Sequence, residues 1–218
     1  MCRLVVLIIV TEKFFQRFLF KNDFLLDFYA ANRGKIKMLG LKRGTVALFP
    51  HSVEWEITAQ KCIEHLNAIL GAVAIDIQHI GSTSITGIKA KPIIDIVVGV
   101  RSFESVEPFV QNLEGNGFIS RIREDGNWLF ACGDFEKDTR THHIHFVIYG
   151  GKEWNDYIHF RDYLNAFSDK ALLYEAEKIR LAGLYSTDRN AYCEEKGRVV
   201  QILLQEADDY FQKLDKLD

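Results

Sequence analysis

Between Gly81 and Val98 the chain sets a polar turn, Gly81-Ser82-Thr83-Ser84, ahead of a nearly unbroken apolar run, Pro92-Ile93-Ile94-Asp95-Ile96-Val97-Val98. A short β-branched run without polar alternation reads as a strand covered on both faces. One acid stands in its middle. A carboxylate among buried apolar residues is costly unless it is hydrogen-bonded or holds a cation. Asp95 therefore has two readings: a structural acceptor for amides of the preceding loop, or a ligand-binding group.

The rest of the chain supplies layers for such a strand. Ser52 is placed to cap a helix running to about Leu70, with Ile57, Ile63, Leu66 and Leu70 on one face and Gly71 ending it. Val73–Ile80 alternates as a strand. Phe103–Gly115 reads as a helix with Phe109, Val110 and Leu113 inward. Phe118–Arg123 and Trp128–Cys132 read as two strands of a hairpin around Glu124-Asp125-Gly126-Asn127. Thr141–Tyr149 is a further strand. Trp154–Leu217 is helical, with Ser168 and Asp188 as caps and Leu172, Ala176, Ile179 and Gly183 at helical spacing. Helix, mixed sheet and helical tail predict one α+β domain, which suits a chain of 218 residues.

Composition shifts at Met38. Residues 1–37 hold six of the 16 Phe. They read as an extension outside the fold, either upstream codons ahead of the true start or a disordered segment; the alternative is an amphipathic helix. The domain is placed at 38–218. Leu4–Val10 is far below the roughly 20 apolar residues that span a bilayer, so no membrane is expected. Apolar content of 48% provides a core, and the net charge of −3 gives no overall basic field for nucleic acid. A polyanion would need a local site. Cys2, Cys62, Cys132 and Cys193 form no CxxC pair, which argues against a disulfide framework or zinc knuckle and for reduced thiols in the cytoplasm.

Candidate site residues cluster around the opening feature. A glycine after a strand lets backbone approach a ligand closely, and N–H groups beyond it can face phosphate oxygens. Gly81, Ser82 and Thr83 are candidates for this, although an ordinary polar turn has the same letters. Lys91 is a phosphate ligand, a counter-charge or a solvated loop lysine. Residues two apart on a strand share a face, so His143 and His145 point together, away from His142 and Ile144. They can converge on a metal ion or a phosphate, with Asp95 or His79 as third ligand. Arg140 can clamp a phosphate; Arg161 can do so or pair with Asp162. Lys196 reads as part of a solvated helix face. Trp128 and Trp154 read as packing, with base stacking as the alternative. His51, His65 and His159 read as structural or exposed.

Five blocks in order, LKRGTVALFPHSVEW, HIGSTSITGIKAKPIIDI, RTHHIHFV, HFRDYLNAF and DRNAYCEEK, resemble the GrpB family of nucleotidyltransferase-like proteins. The resemblance covers about Met38 to Leu204 and extends to a domain fused to dephospho-CoA kinase in some bacteria. It implies a nucleotidyltransferase-like mixed sheet flanked by helices, with a helical C-terminal tail. The superfamily pattern places Gly and Gly or Ser after a hydrophobic residue, then Asp-hydrophobic-Asp/Glu further on. Here Ile80-Gly81-Ser82 is followed by twelve residues and then Asp95-Ile96-Val97. The second acid is replaced by Val97, and a third, from a later strand, would correspond to His143 or His145.

The resemblance thus implies a nucleotide or phosphorylated small molecule as ligand at Gly81 and Ser82, to which the chemistry of the residues themselves adds Thr83, Lys91 and Arg140. Asp95, His143 and His145 would be catalytic and metal-binding, with Mg, Mn or Zn as the divalent ion. Two Mg²⁺ ions need several carboxylates, whereas imidazole suits transition metals. Three readings follow: a nucleotidyltransferase with an altered site, a non-catalytic binding or folding module associated with dephospho-CoA kinase, and a metal-dependent phosphate hydrolase.

Overall fold

A computed structural model describes residues 39–124, 126–214 and 216. The extension at 1–37, Met38, Asp125 of the hairpin turn and Leu217 at the end of the predicted tail lie outside the described residues. In chain order the elements are β1 (Leu41–Lys42), α1 (Val53–Leu70), β2 (Ala74–Ile80), β3 (Ile94–Val100), α2 (Val110–Gly115), β4 (Ile119–Glu124), β5 (Asn127–Cys132), β6 (Thr139–Arg140), β7 (His142–Ile148), α3 (Lys152–Ala166), α4 (Ser168–Leu184) and α5 (Arg189–Leu214). The main sheet has the order β2-β3-β7-β5-β4, and β1 pairs with β6 separately. The central pair β3–β7 is parallel and the other pairs are antiparallel. The architecture is α+β, with a mixed sheet, helices on both faces and a helical C-terminal part.

Alternation along β3 and β7 assigns the two faces. Ile94, Ile96, Val98, Ile144 and Phe146 pack with Trp55, Ala59, Cys62, Leu66 and Leu70 of α1. Val97 and Val147 point the other way and pack with Ile80 and with Trp154 of α3. The predicted α1 face is corrected at Ile57, which is 49% exposed: it lies two residues, about 200° of helix, from Trp55. Ser52 occupies the N-cap position without bonding the helix backbone; its hydroxyl donates to the Glu54 carboxylate. Gly71 ends α1 at φ +52, with its N–H donating to the Asn67 carbonyl.

Other expectations shift in similar ways. Phe103–Gly115 is two 3₁₀ turns, Phe103–Ser105 and Glu107–Phe109, followed by the short α2. Pro108 lacks an N–H and cannot continue an α ladder through this stretch. Asp188 caps α5, its Oδ1 accepting from the N–H groups of Asn190 (3.1 Å) and Ala191 (3.0 Å). Ser168 is instead the first residue of α4, after Phe167. The apolar stripe read on α4 is the outer one. Leu172 is 58% and Ile179 43% exposed, while Ala171, Tyr174, Lys178 and Leu181 are buried. Between the Gly-Ser turn and β3, Ile85 and Ile88 insert among Tyr163, Leu164, Tyr174 and Leu203, which ties the turn to the helical tail. Among the described residues no helix is long and apolar enough to cross a membrane.

Candidate functional site

The parallel register of β3 and β7 sets Asp95 beside His143 and Val97 beside His145. All four side chains lie on the face covered by the C-terminal helices. Asp95 is also opposite Ile80 on β2, so the chain turns at Gly81 directly over the carboxylate. Gly81 has φ +71, and a Cβ there would come within 2.5 Å of Asp95 Oδ2. Glycine satisfies both the backbone conformation and the close approach.

Asp95 Oδ1 is 3.0 Å from His143 Nδ1. Burial works to raise the Asp95 pKa, but the His143 hydrogen bond, then the electrostatic influence of the His143 and His145 rings and of Lys196, holds it below the usual carboxylate value. An ionised carboxylate can only accept, so Nδ1–H of His143 donates to it. In the free-base form of His143 the lone pair is then on Nε2. His145 is arranged in the opposite sense. Its Nδ1 lies 3.1 Å from Asn127 Nδ2, an obligate donor, and 3.1 Å from the Tyr157 hydroxyl. Burial is the main cause that pushes His145 down to about 4, so near neutral pH its single proton sits on Nε2. The two rings, 6.4 Å apart between centroids, offer one acceptor and one donor.

These groups line a cavity of about 470 Å³ together with Ser82, Lys91, Tyr174, Lys178, Arg189, Tyr192 and Lys196. Its four lysine and arginine side chains come from three segments, Lys91 from the loop before β3, Lys178 from α4, and Arg189 and Lys196 from α5, and Glu153 and Asp156 of α3 also line it. Lys178 is 1% exposed; its ammonium donates to the Lys89 carbonyl at 2.5 Å and lies 4.4 Å from the Tyr174 ring centroid. Burial brings it down to about 7. Burial, then the like charge of Lys196, brings Lys91 to about 8. Lys196 is raised above the ordinary lysine value, by Tyr174 first and with Tyr192 and Asp95 adding, against its burial. Ser82 Oγ is 3.0 Å from the Tyr174 hydroxyl.

The sequence candidates divide accordingly. Gly81, Ser82, Lys91, Asp95, His143 and His145 meet at this cavity. Thr83 does not: it is 1% exposed, and its hydroxyl is 2.9 Å from His79 Nε2 and 3.4 Å from the Ile93 carbonyl. Arg140 lines an adjoining cavity instead. Arg161 binds Gln78 (2.6 Å), the His79 carbonyl (3.0 Å) and Asp162 (2.7 Å), which makes it a clamp on β2. Trp128 packs on Phe130 and Trp154 on Tyr149. His51 pairs with Glu56 and His159 with Asp208, while His65 stacks on Phe118.

Lys196 corrects the solvated-face reading. The spacing Arg189, Tyr192, Lys196, Val200 repeats every three or four residues and traces one stripe of α5 along the cavity. That stripe was the available signal. Among the described residues, no three His, Cys, Asp or Glu side chains are grouped to hold a metal ion. Val97, where a second acid would stand, is fully buried against Ile80, Val147 and Trp154.

A family model described as "GrpB protein" matches residues 45–206. Over 173 residues the chain is 44% identical to the glutamate-rich protein GrpB of Alkalihalophilus pseudofirmus, a match covering 78% of this chain and 99% of that relative. The crystal structure of conserved protein GrpB from Enterococcus faecalis superposes with a TM-score of 0.70 at 26% identity, covering 76% of this chain and 99% of that one. A shorter match, 32% identical over 81 residues, reaches a dephospho-CoA kinase of Mycolicibacterium paratuberculosis and covers 36% of this chain and 20% of that protein.

Proposed function

Because the chain belongs to the GrpB protein family, we propose that it binds the phosphate groups of a nucleotide or another phosphorylated small molecule beside the Gly81-Ser82 turn, with Asp95–His143 as a proton-transfer pair. The observation that carries this reading is the convergence of Lys91, Lys178, Arg189 and Lys196 on one partly buried cavity. Burial first, and the like charge of Lys196 second, hold Lys91 and Lys178 below the ordinary lysine value. A polyanion relieves that repulsion and accepts charge-assisted hydrogen bonds.

The remaining groups then have complementary tasks. Ser82 offers a hydroxyl and His145 a neutral Nε2–H to ligand oxygens. His143 Nε2 accepts the proton of an attacking hydroxyl or water, and Asp95 stabilises the resulting imidazolium. The reaction class that suits this pair is transfer of a phosphorus-containing group to an acceptor or to water: a new P–O bond forms, the P–O bond to the departing phosphate breaks, and the cavity's cations take up the negative charge of the leaving phosphate. A divalent ion enters the reading with the ligand and not as a preformed protein cage. Asp95 Oδ2 would hold one of its positions, and the ion would supply charge neutralisation at the phosphates.

Equilibrium titration with each nucleoside triphosphate and with inorganic triphosphate, with and without Mg²⁺ or Mn²⁺, tests the reading. Saturable binding is expected, and Lys196→Met should weaken it roughly tenfold through loss of one charged contact. Absence of saturable binding at millimolar ligand would reject it. The short match to a dephospho-CoA kinase and Val97 at the acid position favour a second reading, a non-catalytic module that works beside that kinase. Under that reading the two proteins co-purify, and Asp95→Asn leaves the association unchanged.

A further inference from the structure

A second cavity of about 330 Å³ adjoins the first, and Lys91, Ile93, His143 and Arg189 form their common wall. The second cavity is lined by six cationic side chains, Lys42, Arg43, Lys91, Arg121, Arg140 and Arg189, and by no Asp or Glu. The chain as a whole carries a net charge of −3, so this grouping does not follow from a generally basic composition. The six come from β1 and its following turn, the loop before β3, β4, β6 and α5, and only tertiary folding assembles them.

Few of these charges are neutralised. Among the described residues, Arg140 lies 3.4 Å from Asp138, and no ion pair is made by Lys42, Arg43, Lys91, Arg121 or Arg189. Two guanidiniums are pre-oriented: Arg121 and Arg140 lie 4.3 Å and 4.4 Å from the centroid of the Phe135 ring. The ring contact restrains both groups. Arg140 Nη1 also donates to the Thr139 carbonyl at 3.0 Å, and no hydrogen bond is described for the N–H donors of Arg121, which are left for an oxyanion. Leu41, Ile122, Leu129 and Ala131 add an apolar wall.

We propose that this basic cavity is a second anion site, which takes a phosphorylated small molecule distinct from the ligand of the first cavity. The anion site rests on the charges of the second cavity alone. Its further consequence, that two phosphate-bearing molecules meet at the shared His143, rests also on the function proposed above.

Calorimetric titration with inorganic pyrophosphate at about 0.15 M salt, where weak surface attraction is screened, tests the proposal. Wild-type protein should bind two pyrophosphates. Arg121→Gln/Arg140→Gln should lose one of them and keep the other within about twofold. Arg43→Gln should weaken the same site roughly tenfold; no side-chain bond is described for Arg43, so this variant guards against loss of fold, checked by circular dichroism. Lys196→Met should weaken only the other site. A single pyrophosphate weakened alike by both sets of variants would overturn the second site in favour of one ligand spanning both cavities. Two sites indifferent to the Arg variants would also overturn it. If the Arg variants act as expected but Lys196→Met changes nothing, the first-cavity function fails and the second anion site stands.

Discussion

Gly81 and Asp95 are built against each other: a Cβ on Gly81 would lie 2.5 Å from Asp95 Oδ2 and 3.0 Å from Asp95 Cβ. The turn and the carboxylate are thus one structural unit. The turn's backbone, at φ +71 and ψ −170, lies in a region open in practice to glycine alone.

Gly81→Ala should therefore lose stability twice over, through backbone strain of about 1–3 kcal/mol and through displacement of the Asp95 carboxylate. Gly87→Ala is the control, since Gly87 has φ +82 but nothing within 4 Å of its would-be Cβ. Urea denaturation of both variants should place Gly81→Ala well below Gly87→Ala. Equal losses would mean that Asp95 moves aside at no cost.

Stability should fall as pH drops from about 6.5 toward 4. His79 and His145 are pushed down to about 4 and His142 to about 3, in each case chiefly by burial. The unfolded chain binds these protons near pH 6.5, so between the two values it holds more protons than the native state. Stability then rises with pH through this window, is complete above it and is lost on acidification. Each histidine contributes up to about 1.4 kcal/mol per pH unit. A flat urea midpoint between pH 7.5 and pH 5 would contradict the buried neutral assignment.

Phosphate affinity should have the opposite pH sense. Lys178, brought to about 7, and Lys91, brought to about 8, lose their charge as pH rises. Affinity for inorganic triphosphate should weaken from pH 6.5 to pH 8.5, measured by titration in a constant salt background. Lys178→Met should bind more weakly at pH 6.5 and show a shallower pH dependence. An unchanged slope in that variant would remove Lys178 from the binding set.

Val97→Asp should not create a second carboxylate ligand. Val97 is fully buried among Ile80, Val147 and Trp154, so an acid there loses solvation without a partner. The variant should be destabilised by about 3 kcal/mol or more, read by thermal unfolding, with no gain in Mn²⁺ binding. Mn²⁺ binding in a folded variant would show that the position is a ligand site lacking only its acid.

Local pattern was enough to order the main strands and helices, though it missed the short β1 and β6, and to group several site residues. Period-two alternation puts His143 and His145 on one face, and the apolar run marks β3 as central, because strand geometry acts over neighbouring residues. The neighbourhood of Asp95 and His143 came from the parallel β3–β7 pairing, which no local pattern encodes. Helices were less legible. On α4, Leu172 and Ile179 form as regular a stripe as Tyr174 and Lys178, yet the leucine-bearing stripe faces out and the lysine-bearing one lines the cavity. Hydrophobicity favours the opposite choice, but Lys178 is accommodated by the Lys89 carbonyl and the Tyr174 ring, partners that only folding supplies. Lys196 and Arg140 follow the same logic: one joins the first cavity, the other the second. The Gly81 turn and Asp95 were visible as letters; folding selects which cations surround them, because charge acts across space while sequence orders residues along a line.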